Sequence, residues 1–451
     1  MVVLYVLIAL VVVGLLTGVH WYVWRRLVRD TTARGGWARR TGTAAAFALP
    51  LISVGALIAG RAGAPFPLQR ALAWPGYLWL ALLLYLTLAL LVGEAVRPLL
   101  RAWLGRDEPA DVRLTDVPAP AVGGLVGVAA VPEGGGGVVC DGAGAAVVSE
   151  AEVVVDGAAK TATDAAKGGA ADPAPASSSR RLFVARAVAV GATAVAAGTV
   201  GYGAYTVLRG PRVKRITVPL AKLPRRAHGF RIAVVSDIHL GPILGRDHTR
   251  RVVEAVNRTN PDLVAVVGDL VDGSVADLGP AAEPLRGLSA RHGSYFVTGN
   301  HEYYSGAAEW VDHVRELGLR PLENERTELP GFDLAGVNDV AGESEGHGPD
   351  FGKALGDRDR SRASVLLAHQ PVVIHDAVKA GVDLQLSGHT HGGQLWPGNY
   401  VAELANPTAA GLDRYGDTQL YVTRGAGAWG PPVRVGAPPD VTVVELASTR
   451  A

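Results

Sequence analysis

The 451-residue chain has a single cysteine, Cys140, which excludes an intrachain disulfide and any metal site built from several thiolates. An excess of either charge is also lacking: 43 Lys and Arg face 42 Asp and Glu, for a net charge of +1. That balance gives no case for general nucleic-acid binding, and no nucleic acid is expected as a partner. Only 19% of residues are charged and mean hydropathy is positive, which is too apolar for one soluble enzyme. No internal repeat is evident.

The apolar excess sits in the first half. Val2 to Trp24 and Ala71 to Val92 are long enough to cross a bilayer, which takes about 20 residues. Thr43 to Gly60 lies at the lower length limit and carries Pro50. Buried soluble helices are the alternative, but three such runs lie close together with little polar sequence to cover them. Residues 1–100 are therefore read as a membrane region with about three transmembrane helices. Arg25, Arg26, Arg29, Arg34, Arg39 and Arg40 fill the first loop, Arg61 and Arg70 the second, and Arg97, Arg101 and Arg106 follow the third run. Positive charge favours the cytoplasmic side, which places the first loop and the segment after Arg97 inside.

Residues 101–179 are rich in Gly, Ala, Pro and acidic residues, with runs at Gly134–Gly137 and Ser177–Ser179, and read as a disordered linker. Residues 180–210 begin with Arg180-Arg181 and continue into the apolar stretch Ala187 to Val207. The pair resembles a twin-arginine export signal, and equally fits an ordinary cytoplasmic flank. A fourth span there puts the remainder, 211–451, outside the cytoplasm. Arg209, Arg212, Lys214 and Arg215 argue the other way by local charge, although folded domains translocate largely regardless of it. Glu94, the one charge at membrane depth, has no evident partner in the sequence. The spans read as an anchor to cytoplasmic-membrane lipid rather than as a transport pathway.

The second half reads as α/β. Phe230–Ser236, Asp262–Val267, Ser294–Thr298, Ser364–Ala368 and Val382–Leu386 are apolar, β-branched runs of strand length. Helical patterns fall at Asp247–Arg258, Ala281–Ala290 and Ala307–Leu317. Sheets of this kind place ligands beyond the carboxyl ends of their strands. Polar clusters stand there: Asp237 and His239, Asp269 and Asp272, Asn300 and His301, His369, and His389 and His391. Their donors suit two divalent cations about 3.5–4 Å apart, which activate water and neutralise a phosphoryl group under attack. Mixed oxygen and imidazole donors suit Mn, Fe, Zn or Co better than Ca. Gly268, Gly299 and Gly388 precede three of the clusters, where the backbone must turn sharply.

Asp237-x-His239, Gly-Asp269-x-x-Asp272, Gly-Asn300-His301-Glu302 and Gly-His389-x-His391 resemble the calcineurin-like metallophosphoesterases, over roughly residues 213 to 446. Gly388–Gln394 and Trp429-Gly430-Pro431-Pro432 look most like a bacterial membrane-associated phosphodiesterase subgroup. The resemblance implies a metallophosphoesterase-type β-sandwich flanked by helices. It implies one metal held by Asp237, His239, Asp269 and His391, with Asp269 bridging to a second held by Asn300, His369 and His389. His301 is implied to face the phosphate as general acid, its ring oriented by Asp272, and the substrate to be a phosphoester, lipid-derived among the candidates.

Singly these motifs say little: Asp237 could cap a helix, and Glu302 reads as a first-turn acid or a hydrogen-bond acceptor rather than a ligand. Gly273 stands where the phosphoprotein-phosphatase branch carries a phosphate-gripping Arg, so that branch is a poor fit. The loop Gly425–Pro432 either lines a substrate groove or is a turn with one packed Trp. An inactive receptor or scaffold would be expected to lack a ligand or His301, and none is missing.

Overall fold

The computed structural model describes residues 2–104 and 176–450. Most of the expected linker, with Cys140, lies outside the described residues. Among the described residues, four helices are long and apolar enough to cross a membrane. They are α1 (Val2–Trp24), α2 (Trp37–Ala59), α3 (Phe66–Leu104) and α4 (Ala176–Leu208). α2 runs unbroken through Pro50, and Arg180-Arg181 falls inside α4. Glu94 does have partners, contrary to the reading above: Arg26 Nε lies 2.8 Å and Arg97 Nη1 3.4 Å from its carboxylate. Arg97 is an i,i+3 neighbour on α3 that helical spacing offers, whereas Arg26 comes from the end of the first span, a pairing that linear spacing does not reveal.

The rest is a sandwich of two six-stranded sheets. In chain order the strands are β1 (Arg212–Leu220), β2 (Phe230–Val235), β3 (Leu263–Val267), β4 (Ser294–Val297), β5 (Arg320–Pro321) and β6 (Glu325–Leu329). Then follow β7 (Phe332–Gly336), β8 (Ala363–Leu367), β9 (Leu384–Ser387), β10 (Gly411–Tyr415), β11 (Thr418–Val422) and β12 (Asp440–Ser448). One sheet has the order β1-β12-β2-β3-β4-β5, the other β10-β11-β9-β8-β7-β6. Within the first, β2, β3 and β4 pair in parallel; within the second, β7, β8, β9 and β11 do. Their carboxyl ends therefore share an edge of the sandwich.

Alternate residues of both sheets meet between the layers: Ile232, Val234, Ala265 and Val444 from one, Phe332, Val365, Leu384 and Tyr421 from the other. The opposite faces pack against helices, chiefly α5 (Arg246–Asn257), α6 (Val275–Ala282) and α8 (Ala307–Glu316) on the first sheet, with the short α7 (Asn300–Ser305) leading into α8. On the second lie α9 (Phe351–Leu355) and α10 (Ile374–Lys379), and α11 (Gly398–Ala405) extends after β9. Strands buried on both faces explain why these runs are continuous apolar stretches rather than alternating ones.

The one displaced element is the helix expected at Ala281–Ala290. α6 begins earlier because the Ser274 hydroxyl accepts from Asp277 N, and the chain then tightens into a 3-10 turn at Glu283–Gly287, where Pro284 occupies the first turn.

Span bundle and sandwich are joined. Tyr85 Oη of α3 donates to Trp396 O at 2.9 Å, and Arg434 N donates to Gly203 O of α4 at 3.2 Å. Leu395, Val433 and Val435 pack into the same apolar cluster as α3 and α4, while Phe66 packs against the helices that cover the first sheet.

Candidate metal centre

Three of the five polar clusters leave their strands in a sharp reversal. Asp237 (φ 53°), His239 (φ 48°), Asp269 (φ 52°), His389 (φ 74°) and His391 (φ 53°) all adopt left-handed backbone. Such residues cost of order 1–3 kcal/mol each and persist only where the surroundings hold them. Here the loops cross-brace one another: Asp237 N donates to Gly268 O, His239 N to Asp269 O, and Ala426 N and Gly427 N to Ser236 O and Asp237 O. Glu302 accepts from Gly299 N (2.6 Å), Asp269 N (3.0 Å) and Leu270 N (2.7 Å), so it is a backbone brace rather than a ligand. Burial pushes its carboxyl up to about 7, with the nearby Asp269 charge adding to the shift.

Two of the glycines serve close approach. A Cβ on Gly299 would lie 2.3 Å from Asp269 Oδ1, and one on Gly388 2.0 Å from Ser236 Oγ and 2.3 Å from Asp237 Oδ2. Only a residue without a side chain lets these turns close on the carboxylates.

The loops converge their donors in adjoining groups. Asp237, His239 and His391 form one, Asp269, His369 and His389 a second, and His239, Asp272 and His301 a third, each with its donor atoms within 4.8 Å of one another. Asn300 Oδ1 lies 3.1 Å from His389 Nδ1, which places it at the second group. All nine expected positions are thus brought together.

Hydrogen bonds outside the groups fix several rings. His369 Nδ1 lies 2.9 Å from Val267 O, which makes Nδ1 an N–H and turns Nε2 towards Asp269 Oδ2, 3.0 Å away. His239 Nδ1 lies 2.9 Å from Asp272 Oδ1, leaving its Nε2 to face inward, 3.7 Å from Asp269 Oδ2. Imidazoles facing carboxylates in a buried site call for positive charge there, supplied by a ring proton or by a bound cation. A divalent cation meets that requirement, and imidazole with carboxylate is its usual donor set.

The electrostatics agree. Although burial disfavours charge on His239, Asp272, Asp269 and Asp237 outweigh it and push the ring up to about 9. Burial opposes ionisation of Asp269 and Asp272 too, yet the surrounding histidines hold both carboxyls below the usual range, Asp272 at about 2. At Asp237 burial wins and the carboxyl is pushed up, an energetic cost that a bound cation offsets.

His301 stands at the rim. Its Nδ1 is 2.7 Å from Asp272 Oδ1, the same oxygen that holds His239, so Nε2 is left to the cavity. Tyr304 and Trp429 meet its ring edge-on at 5.5 and 5.8 Å, and Trp429 lines the cavity with His239, Asp272 and His301. The Gly425–Pro432 loop therefore lines a groove.

Arg434 carries no signal in the sequence, yet it is buried against the centre. Its guanidinium donates to Gly427 O and to His391 O (2.7 Å) and points at His391 Nδ1 (2.7 Å). That contact makes Nδ1 the acceptor and sets the neutral ring proton on Nε2, so His391 must give up a proton to ligate through Nε2. Desolvation lowers the guanidinium to about 10.

Because one Asp272 oxygen serves both histidines, Asp272→Asn should lower divalent-metal affinity by roughly 10–100-fold, the usual effect of removing an outer-shell partner of a ligating His. Calorimetric titration of Mn into chelator-stripped protein measures it; an unchanged affinity contradicts the role.

Residues 230–393 match the family model of the calcineurin-like phosphoesterases. A 260-residue stretch is 41% identical to a transmembrane protein with metallophosphoesterase domain from Danio rerio, covering 54% of this chain and 59% of that one. A 247-residue stretch is 38% identical to an uncharacterized metallophosphoesterase of Helicobacter pylori strain J99, covering 54% of this chain and 66% of that one. The chain thus spans somewhat less than two thirds of each of these two relatives. Over 251 residues it is 36% identical to an uncharacterized metallophosphoesterase of Aquifex aeolicus, covering 54% of this chain and 95% of the relative. With that relative matched almost end to end, and the family's motif residues gathered at one edge of the sandwich, the chain belongs to the calcineurin-like metallophosphoesterase family.

Proposed function

We propose that the protein is a membrane-anchored, dinuclear metal-dependent phosphoester hydrolase acting on phosphodiester or phospholipid-type substrates. The observation that carries this reading is the convergence of Asp237, His239 and His391 with Asp269, His369 and His389, two adjoining buried donor groups in which His369 Nε2 lies 3.0 Å from Asp269 Oδ2. In it, Asp237, His239, Asp269 and His391 hold one ion, and Asp269, Asn300, His369 and His389 the other. Two divalent ions there (Mn, Fe, Zn or Co) supply an activated water and neutralise the phosphoryl oxygens. Asp272 keeps His239 in the tautomer whose Nε2 lone pair points inward, and by the same oxygen holds His301. His301 then presents Nε2 to the leaving oxygen and protonates it. Tyr304 and Trp429, packed edge-on to the ring, restrict its rotation.

The roles separate experimentally. His301→Ala should retain both metals but cut turnover of an aryl phosphodiester by roughly 10²–10⁴-fold, the usual contribution of a positioned acid. Asp269→Asn should disturb both metals. If His301→Ala lost a metal equivalent while Asp269→Asn kept two, the assignment would be reversed.

The proposal extends to placement: a multi-pass protein of the cytoplasmic membrane with its catalytic domain outside. The arginine-rich first loop, four candidate spans before the sandwich and the twin-arginine-like Arg180-Arg181 support it. So does Arg186 Nε, which donates to Thr31 O and draws the start of α4 to that first loop, at the end of α4 opposite the sandwich. Trp396, Tyr400, Val401 and Leu404, on and just before α11, are exposed and apolar beside α3, which suits contact with lipid. Protease added to intact spheroplasts should digest the sandwich while sparing cytoplasmic markers, and Arg180→Lys with Arg181→Lys should block its appearance outside. Digestion only after lysis contradicts the topology.

A further inference from the structure

The cavity at His301 is not made by the sandwich alone. It holds about 500 Å³, within the range of about 300–1,000 Å³ typical of small-molecule sites. One wall is His239, Asp272, His301 and Trp429; the facing wall comes from the α2–α3 hairpin and includes Leu57, Phe66, Tyr77 and Leu80. The hairpin is held in place by Phe66 against the helices of the first sheet and by the Tyr85–Trp396 bond. A membrane span that served only as an anchor has no reason to close over the chemical centre of the domain it carries.

Polarity changes across the cavity. His239, Asp272, Asp277 and His301 lie on the sandwich side, and Leu57 and Leu80 face them from the spans, together with Arg61, Gln69 and Tyr77. Leu57 is 42% exposed, and its neighbours on α2, Val54 and Ile58, are exposed as well at 53% and 54%. The apolar wall is therefore continuous with the outer surface of the bundle, which is the surface that meets acyl chains. A soluble nucleotide or sugar phosphate would meet only Arg61, Gln69 and Tyr77 on that side and would leave Leu57 and Leu80 uncovered. A phosphoester with a long alkyl chain has its phosphate beside His301 and its chain against Leu57 and Leu80.

We propose that the second and third spans form half of the substrate site, and that the substrate is a lipid phosphoester whose alkyl portion lies between Leu57 of α2 and Leu80 of α3. This rests on the phosphoesterase reading above and narrows it. In the step itself a water oxygen forms a bond to phosphorus as the ester P–O bond breaks. The departing alcohol takes the His301 proton, and the proton lost by water returns to solvent, so no other reactant is needed.

The test uses the full chain in detergent with Mn and two diesters that share a leaving group, methyl 4-nitrophenyl phosphate and hexadecyl 4-nitrophenyl phosphate. The readout is the ratio of their kcat/KM values at one detergent concentration, which a change in the folded fraction leaves unaltered. The parent protein should favour the hexadecyl ester by at least roughly tenfold, since burying about two methylenes suffices. Leu57→Trp and Leu80→Trp, which fill the wall from separate helices, should each lower the ratio by about tenfold or more. A parent ratio near one, or a ratio unmoved in both variants, overturns the proposal while leaving the phosphoesterase reading intact. Cleavage of neither ester by the parent removes that reading, and this inference with it.

Discussion

Everything at the edge of the sandwich answers to one constraint: Asp237 and Asp269 are buried carboxylates, 0% and 2% exposed, at the ends of neighbouring parallel strands. Such groups are costly to bury unless positive charge offsets them. The histidines supply donor atoms around that charge, the loops bend into left-handed backbone to bring them in, and Gly299 and Gly388 leave room for the approach. The strain in five of these residues is held by hydrogen bonds between loops rather than within them. The site is thus a joint product of both sheets, since Asp237, Asp269 and Asn300 follow strands of one, and His369, His389 and His391 follow strands of the other.

Much of this was legible in the chain. Strands buried on both faces read as unbroken β-branched runs, so β2, β3, β4, β8 and β9 fall within one or two residues of their expected limits. The apolar runs were legible too, because length and apolarity are properties of the linear sequence, although α2 starts well before Thr43 and α3 continues well past Val92. The helix near residue 281 did not, because its start depends on the Ser274 cap and its end on Pro284, local devices that outweigh the apolar pattern.

What depends on long-range contact stayed hidden. Arg434 is one of many arginines in the sequence, and only folding shows that it is buried against His391 and that its own backbone N–H is bonded to Gly203 of the fourth span. Glu94 looked unpartnered until Arg26 was brought to it from the end of α1. Asp272 looked like a partner for His301 alone, whereas the same oxygen holds His239. The α2–α3 hairpin over the cavity is a fact of the same kind. Together these contacts tie the metal centre to the spans, so that the two halves of the chain share a surface rather than a linker.

In the proposed reading, the buried carboxylates at this edge hold a pair of cations. The most direct measurement is metal analysis of the purified full chain after Mn loading, paired with anomalous diffraction at the Mn edge. The account predicts two ions per chain about 3.5–4 Å apart, with Asp269 between them and Asp237 and His369 on opposite sides. A single ion, or two that do not share Asp269, would contradict it.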